Sequence, residues 1–211
     1  MKTQTIPTRK PAYFAILPFV LAFTLLLLVL GLVAGQGSGD LVRITAASDG
    51  NRDSTRPSLN GDGTVIVFQS DSDFLGQGIP DDQDEIWLYD TRTMTFTRIT
   101  VASDSDRDSS FPYLSADGTI IAFRSDSDFL GQGIPDDQKE VWLYDTGTMT
   151  YTRVTTASES GRSSSASSLS ADGTVVAFHS DSDILGQGIP AGQNEIWLYD
   201  TATMSLSLIH I

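Results

Sequence analysis

The residues of this chain best placed for chemistry are carboxylates held in repeated loops. The phrase SDSDFLGQGIPDDQ runs from Ser70 to Gln83 and returns unchanged from Ser125 to Gln138; it recurs as SDSDILGQGIPAGQ from Ser180 to Gln193. In the first copy Asp71 and Asp73 precede Asp81, Asp82 and Asp84. In the second, Asp126 and Asp128 precede Asp136 and Asp137. Clustered carboxylates beside loop carbonyls are the hard oxygen donors that calcium takes. These aspartates are therefore the candidate metal ligands, with one calcium per repeat between an Asp71/Asp73-type pair and an Asp81/Asp82/Asp84-type trio. Two features oppose a metal: Ala191 and Gly192 replace the aspartates in the third copy, and no loop has EF-hand spacing. The competing expectation is a solvated acidic rim whose aspartates close Asx turns.

Other side chains offer less. Gln69, Arg124 and His179 occupy one position in successive repeats, so the side chain changes there while the scaffold is retained. Such a position can face a ligand or simply solvent, and for His179 an ordinary surface role is expected. Arg52, Arg107 and Arg162 recur beside acidic residues and are expected to pair with them. No G-x-S-x-G elbow accompanies the many serines, and a triad has little histidine to draw on. The chain has no cysteine, which excludes disulfides, thiolate catalysis and thiolate metal sites.

The elements that must position these groups repeat every 55 residues, as Asp62, Asp117 and Asp172 show, and likewise Trp87, Trp142 and Trp197. A fixed period of this size indicates stacked units that bury their apolar faces against one another. Within the first unit, Asp62-Gly63 separates two apolar segments, a hairpin signal because the turn needs positive φ. Val65–Phe68 predicts a β-branched buried strand, Ile86–Tyr89 a third strand, and Phe96–Thr100 an alternating, more exposed fourth. The tryptophans recur inside strands, so they are expected in the core rather than as a sugar-stacking ladder. The predicted fold is all-β: three four-stranded antiparallel propeller blades at 56–100, 111–155 and 166–211. A lone edge strand at 41–45, in a linker over 36–55, matches the fourth strand of a blade.

The order of Asp-Gly, an apolar strand ending in Phe-x-Ser, a loop, Glu-Ile-Trp-Leu-Tyr-Asp and a strand ending in Arg-Ile-Thr resembles the TolB-like, WD-type β-propeller repeat of bacterial envelope proteins. The resemblance covers about Leu41 to Asp200. It departs from the pattern where Trp-Ser-Pro-Asp-Gly is usual, since Leu-Asn-Gly-Asp-Gly or Leu-Ser-Ala-Asp-Gly stands here, and the loop after the second strand is longer. The resemblance implies a binding scaffold or a propeller attached to a peptidase, and it transfers no ligand.

Residues 1–35 have a different character. Lys2, Arg9 and Lys10 precede a 22-residue uncharged run from Tyr13 to Ala34, against roughly 20 residues for a membrane-spanning helix. A hydrophobic helix is expected there, as a signal anchor or a signal peptide cleaved near Ala34, and either exports the repeats. All 27 acidic residues lie after Gly35, and the net charge of the chain is −14. That balance argues against nucleic acid and leaves cations or a basic partner open. The final LSLIHI breaks the repeat and is what the transposase mosaic-end adapter of sequencing libraries encodes in one frame. Residues 206–211 are accordingly expected to be adapter-derived, His210 is not counted as functional, and the natural chain is expected to run on. The function expected is a noncatalytic, extracytoplasmic scaffold, membrane-anchored or secreted, for a protein or cell-envelope ligand. The alternatives are the accessory propeller of a peptidase-like enzyme and a calcium-stabilised surface repeat.

Overall fold

The computed structural model describes residues 41–46, 50–102, 104, 106–135, 137–157 and 161–208. The hydrophobic helix expected within 1–35 lies outside the described residues. The chain divides into residues 1–44 and 45–211, and all three sheets belong to the second part.

Each repeat folds as one four-stranded antiparallel sheet in sequential order. The first blade comprises β1 (Ser54–Leu59), β2 (Val65–Ser70), β3 (Glu85–Asp90) and β4 (Thr95–Arg98). The second comprises β5 (Ser109–Leu114), β6 (Ile120–Ser125), β7 (Glu140–Asp145) and β8 (Thr150–Arg153). The third comprises β9 (Ser164–Leu169), β10 (Val175–Ser180), β11 (Glu195–Asp200) and β12 (Ser205–Leu208). No helix occurs among the described residues.

Two boundaries differ from the sequence expectation. Each blade begins two residues before the expected 56, 111 and 166, because paired serines extend the ladder: Ser54 bonds Ser70 at 3.0 Å, Ser109 bonds Ser125 at 3.0 Å and Ser164 bonds Ser180 at 2.8 Å. Residues 41–46 carry no strand, so the expected edge strand at 41–45 is absent; Leu41 is fully exposed. A lone apolar pentapeptide has no ladder partner to satisfy its backbone groups.

Burial follows the repeat. Trp87, Trp142 and Trp197 are all fully buried, as their spacing predicts. Their indole nitrogens have no protein acceptor, so packing rather than hydrogen bonding fixes these rings. Trp142 lies in a cluster joining Val67, Ile86 and Ile99 of the first blade to Leu114, Ile121 and Phe123 of the second. Trp197 lies in the next cluster, with Val141 and Val154 of the second blade and Val176 and Phe178 of the third. The core is thus a series of inter-blade layers. A Trp is worth about 3–5 kcal/mol on truncation to Ala in such a layer.

Hydrogen bonds join the blades as well. The Gly61 N–H donates to the Ala116 carbonyl at 2.7 Å, and the Ala116 N–H to the Ala171 carbonyl at 2.8 Å. These residues stand where the TolB-like pattern usually has proline, which has no N–H to donate. The departure from that pattern therefore creates a turn-to-turn chain of bonds across the blades. Packing at this end is close: a Cβ on Gly173, whose φ is +70°, would lie 2.7 Å from Ile120 Cγ1. The inner strands also pack across the blades, β5 on β1–β3 and β9 on β5–β7.

Candidate functional site

The loop aspartates are placed by the loop's own needs. Asp73 accepts the N–H groups of Gln77 at 2.8 Å and Gly78 at 2.7 Å, one on each carboxylate oxygen. Asp128 and Asp183 repeat this with Gln132 and Gly133, and with Gln187 and Gly188. Desolvation, the largest single influence, pushes these three carboxyls up, but the donated N–H bonds together outweigh it and hold them below the usual carboxylate range. Asp71, Asp126 and Asp181 each accept one N–H from the segment entering the blade, at 2.7, 2.8 and 2.8 Å, from Asp53, Asp108 and Ser163.

The second group of aspartates belongs to a turn. Gln83, Gln138 and Gln193 donate their N–H to the carbonyls of Pro80, Pro135 and Pro190, closing four-residue turns. Asp82 and Asp137 sit in them at φ +63° and +61°, and Gly192 at +78°. Such a left-handed position favours Gly and tolerates Asp. The third repeat's glycine is therefore a turn-equivalent replacement. Asp81 pairs with Arg52, Asp84 points into the blade junction, and Asp136 lies outside the described residues. Among the described residues, which leave out Asp136, no group of three acidic or histidine side chains is placed to hold a metal ion.

The recurring arginines do more than meet acids. Arg52, Arg107 and Arg162 donate to the carbonyls of Asp71, Asp126 and Asp181 at the start of each loop. They also donate to those of Ile79, Ile134 and Ile189 near its end, at 3.1, 3.1 and 3.2 Å. A planar guanidinium presents its several N–H donors in a fixed fork, so it holds both carbonyls with less loss of freedom than a lysine would. The same arginines keep the expected acidic contacts in part, Arg52 with Asp81 and Arg107 with Asp104 at 3.0 Å.

Glutamates heading the third strands escaped the sequence reading. Glu85 is fully buried and accepts from Arg98 at 2.6 Å, from the Ala102 N–H at 2.9 Å and from the Thr100 hydroxyl. Glu140 repeats this with Arg153 at 3.0 Å, Ala157 at 2.8 Å and Thr155. Burial pushes the Glu85 carboxyl up, against its hydrogen bonds and Arg98, which pull it down. The signal was available: Glu precedes each Ile/Val-Trp-Leu-Tyr-Asp, and Arg-x-Thr stands 13 residues later in the first two repeats. These are structural ion pairs, and they join the strands of one blade.

The groups left over by the framework gather at the blade junctions. Gln69 donates to Asp84 Oδ2 at 2.9 Å and accepts the Phe111 N–H of the next blade at 3.2 Å. Together with Asn51, Asp53, Thr55, Asp71 and Asp82 they line a cavity of about 280 Å³. Burial, with Asp108 and Asp71 adding repulsion, pushes the Asp84 carboxyl up to about 6. At the next junction Arg124 and His179 line a cavity of about 290 Å³ with Ser163, Ser165, Asp181 and Asn194. Gln69, Arg124 and His179 thus all face these cavities. Between them the Phe111 ring carries two guanidiniums, with Arg56 Cζ 3.6 Å and Arg124 Cζ 4.5 Å from its centroid.

Neither a family model nor a curated relative matches the sequence. Solved structures do. A TolB-type protein of Agrobacterium tumefaciens superposes with a TM-score of 0.50 at 19% identity, over 78% of this chain and 50% of that one. The fold is that of a TolB-like β-propeller. TolB of Acinetobacter baumannii matches at 24% identity and a TM-score of 0.44, over 72% of this chain and 31% of that one. An oligogalacturonate lyase of Vibrio parahaemolyticus matches at 14% identity and a TM-score of 0.48, over 80% and 43%. The chain spans half or less of the length of these propellers.

Proposed function

We propose that this TolB-like propeller is an exported, membrane-anchored scaffold that binds a protein or cell-envelope ligand without catalysing a reaction. One observation carries the reading. Loops, turns, clamping arginines and buried serines are repeated almost unchanged, whereas side-chain change concentrates where blades meet. Position 69 and its equivalents hold Gln, Arg and His, and position 84 and its equivalents hold Asp, Lys and Asn. A structural role would favour one residue type at each, as it does for the neighbouring Ser70, Ser125 and Ser180. Varied polar groups in open cavities on a rigid sheet are what a specific recognition surface needs. Export and anchoring rest on the basic and apolar character of residues 1–35.

The test is a binding screen of the full chain against peptide and envelope-glycan arrays. Hits should disappear in a Gln69→Ala/Arg124→Ala/His179→Ala variant and persist in Arg92→Ala, an exposed turn residue. Recovered ligands should be chemically intact by mass spectrometry. Binding that survives the triple variant, or a cleaved ligand, would overturn the reading. Fractionation of cells expressing the full chain should place it in the membrane fraction, and wholly cytosolic protein would refute export.

A further inference from the structure

We propose that Arg56, Phe111 and Arg124 form a site for a single carboxylate borne on an apolar body, at the junction of the first two blades. The inference rests on the scaffold reading and names the chemistry of the ligand.

Arg56 and Phe111 are equivalent residues of successive inner strands, and the third repeat has Ala166 at that position. The strand ladders shift register here, between Thr55 and Ser58 and between Ser110 and Tyr113. Both residues take left-handed backbone angles, φ +55° and +57°. Neither side chain suits that region, where Gly, Asn or Asp would sit with less strain. Strain of this kind persists where a fold over-determines it and clusters at ligand sites. The bulge aims both side chains at one point, where Arg124 arrives from the neighbouring strand, its Nε 3.3 Å from the Ser110 hydroxyl.

The electrostatics then need an anion. Two guanidiniums converge on one ring, and among the described residues neither has a carboxylate within ion-pair distance. Burial, and Arg56 after it, press the Arg124 pKa downward, while Asp126 and Asp108 oppose this. Cation–π contact offsets part of the repulsion. A carboxylate between the two forks would remove the rest, because two planar donors match its oxygens.

The surroundings limit what that anion can be. Asp84 lies close enough to Arg56, and Asp126 and Asp108 to Arg124, for charge coupling, and the chain as a whole carries −14. A polyanion would be repelled, whereas a lone carboxylate meets the two cations first. The adjoining cavity, about 210 Å³, is lined by Arg56, Pro57, Ser58, Phe111, Pro112 and Tyr113. That space suits one apolar side chain, as on a terminal peptide residue or beside an acidic one.

The full chain is titrated with N-acetyl-phenylalanine, with its amide, and with N-acetyl-glutamic acid α-amide, following the arginine Nε–H resonances by NMR. The free acid should bind at least tenfold more tightly than its amide. Tighter binding of the glutamate derivative would assign the site to side-chain carboxylates; tighter binding of N-acetyl-phenylalanine, to chain termini. Arg124→Gln and Arg56→Ala import the residues of equivalent blade positions, so they should leave the melting temperature within a few degrees and each weaken binding at least tenfold. Equal affinity for acid and amide, no binding by either carboxylate, or unchanged affinity in both variants would overturn the proposal. An array ligand lost in the Gln69/Arg124/His179 variant but not displaced by N-acetyl-phenylalanine would sink this site alone. Array binding indifferent to all the junction residues would sink the scaffold reading too.

Discussion

The second and third blades share the strand Glu-(Val/Ile)-Trp-Leu-Tyr-Asp and the same ladder register, yet their leading glutamates live differently. Glu140 is fully buried, with Arg153, Thr155 and a backbone N–H as partners beside Gln138, whose side chain donates to it as Gln193 does to Glu195. Glu195 is partly exposed and accepts from Gln193 at 2.6 Å. The cause is one strand away: Leu208 pairs with Trp197 where Arg153 pairs with Trp142. A carboxylate enters the sheet only when the neighbouring strand brings a cation and donors to meet it. The third blade thus supplies the contrast, with Leu208 drawn from the stretch 206–211 expected to be adapter-derived, and its residues can be moved into the other blades one at a time.

The largest effect should come from Arg153→Leu, which gives the second blade the third blade's residue. It leaves Glu140 buried without its cation, and breaking such a pair costs about 3–5 kcal/mol. Urea denaturation should show that loss, whereas Glu195→Ala should cost under about 1 kcal/mol, in line with exposed charge pairs. Similar losses from the two changes would break the comparison.

Position 139 should come next. Lys139 Nζ lies 2.6 Å from Asp126, whose side chain is almost wholly buried. Lys139→Asn copies Asn194 and should cost about 1.5 kcal/mol, the value of a hydrogen bond to a charged group. Urea denaturation at pH 7 should show the loss.

The same asparagine should act oppositely in the first blade. Asp84 has its pKa raised to about 6, so the folded state holds a proton that the unfolded state gives up near pH 4. Stability from this group is therefore highest below pH 4, falls as pH rises to about 6, and stays low above. Asp84→Asn should stabilise the protein at pH 7 by about 1 kcal/mol, the full shift being discounted because the group is partly solvated. It should also flatten the melting temperature between pH 4 and 6. A destabilising result at neutral pH would show that Asp84 is held by a partner instead.

The smallest effect is expected at the loop turn. Asp137→Gly places the third blade's residue at φ +61°, and relief of left-handed strain should be worth about 0.5–1 kcal/mol. If Asp137 were instead a calcium ligand, calcium would stabilise the protein, by about 1.4 kcal/mol at ten times Kd. The expected outcome is a melting temperature no more sensitive to calcium than to magnesium, before and after the substitution.

Much of this was legible without coordinates because blade architecture is a local matter. Asp-Gly at a hairpin, β-branched runs of strand length and a buried Trp at fixed spacing each constrain a few neighbouring residues, and three copies in phase remove the ambiguity of any one. The inner strands were read two residues short because Ser54, Ser109 and Ser164 have weak strand character alone. Only pairing with Ser70, Ser125 and Ser180 holds them in the sheet.

The sequence by itself determined the repeat, its strands and the positions where the copies disagree, since those are properties of residue type and order. Tertiary structure decided what the polar groups do. Asp73 became a loop cap and Asp82 a turn residue because backbone N–H groups and a left-handed φ reached them first, and neither is visible in the order of aspartates along the chain. Glu85 and Glu140 became buried ion pairs because β4 and β8 place Arg98 and Arg153 beside them. Arg56, Phe111 and Arg124, up to 68 residues apart in the chain, became one cluster only because two blades meet there. Charge and hydrogen bonding act through distance in space, and that distance is set by how the blades pack.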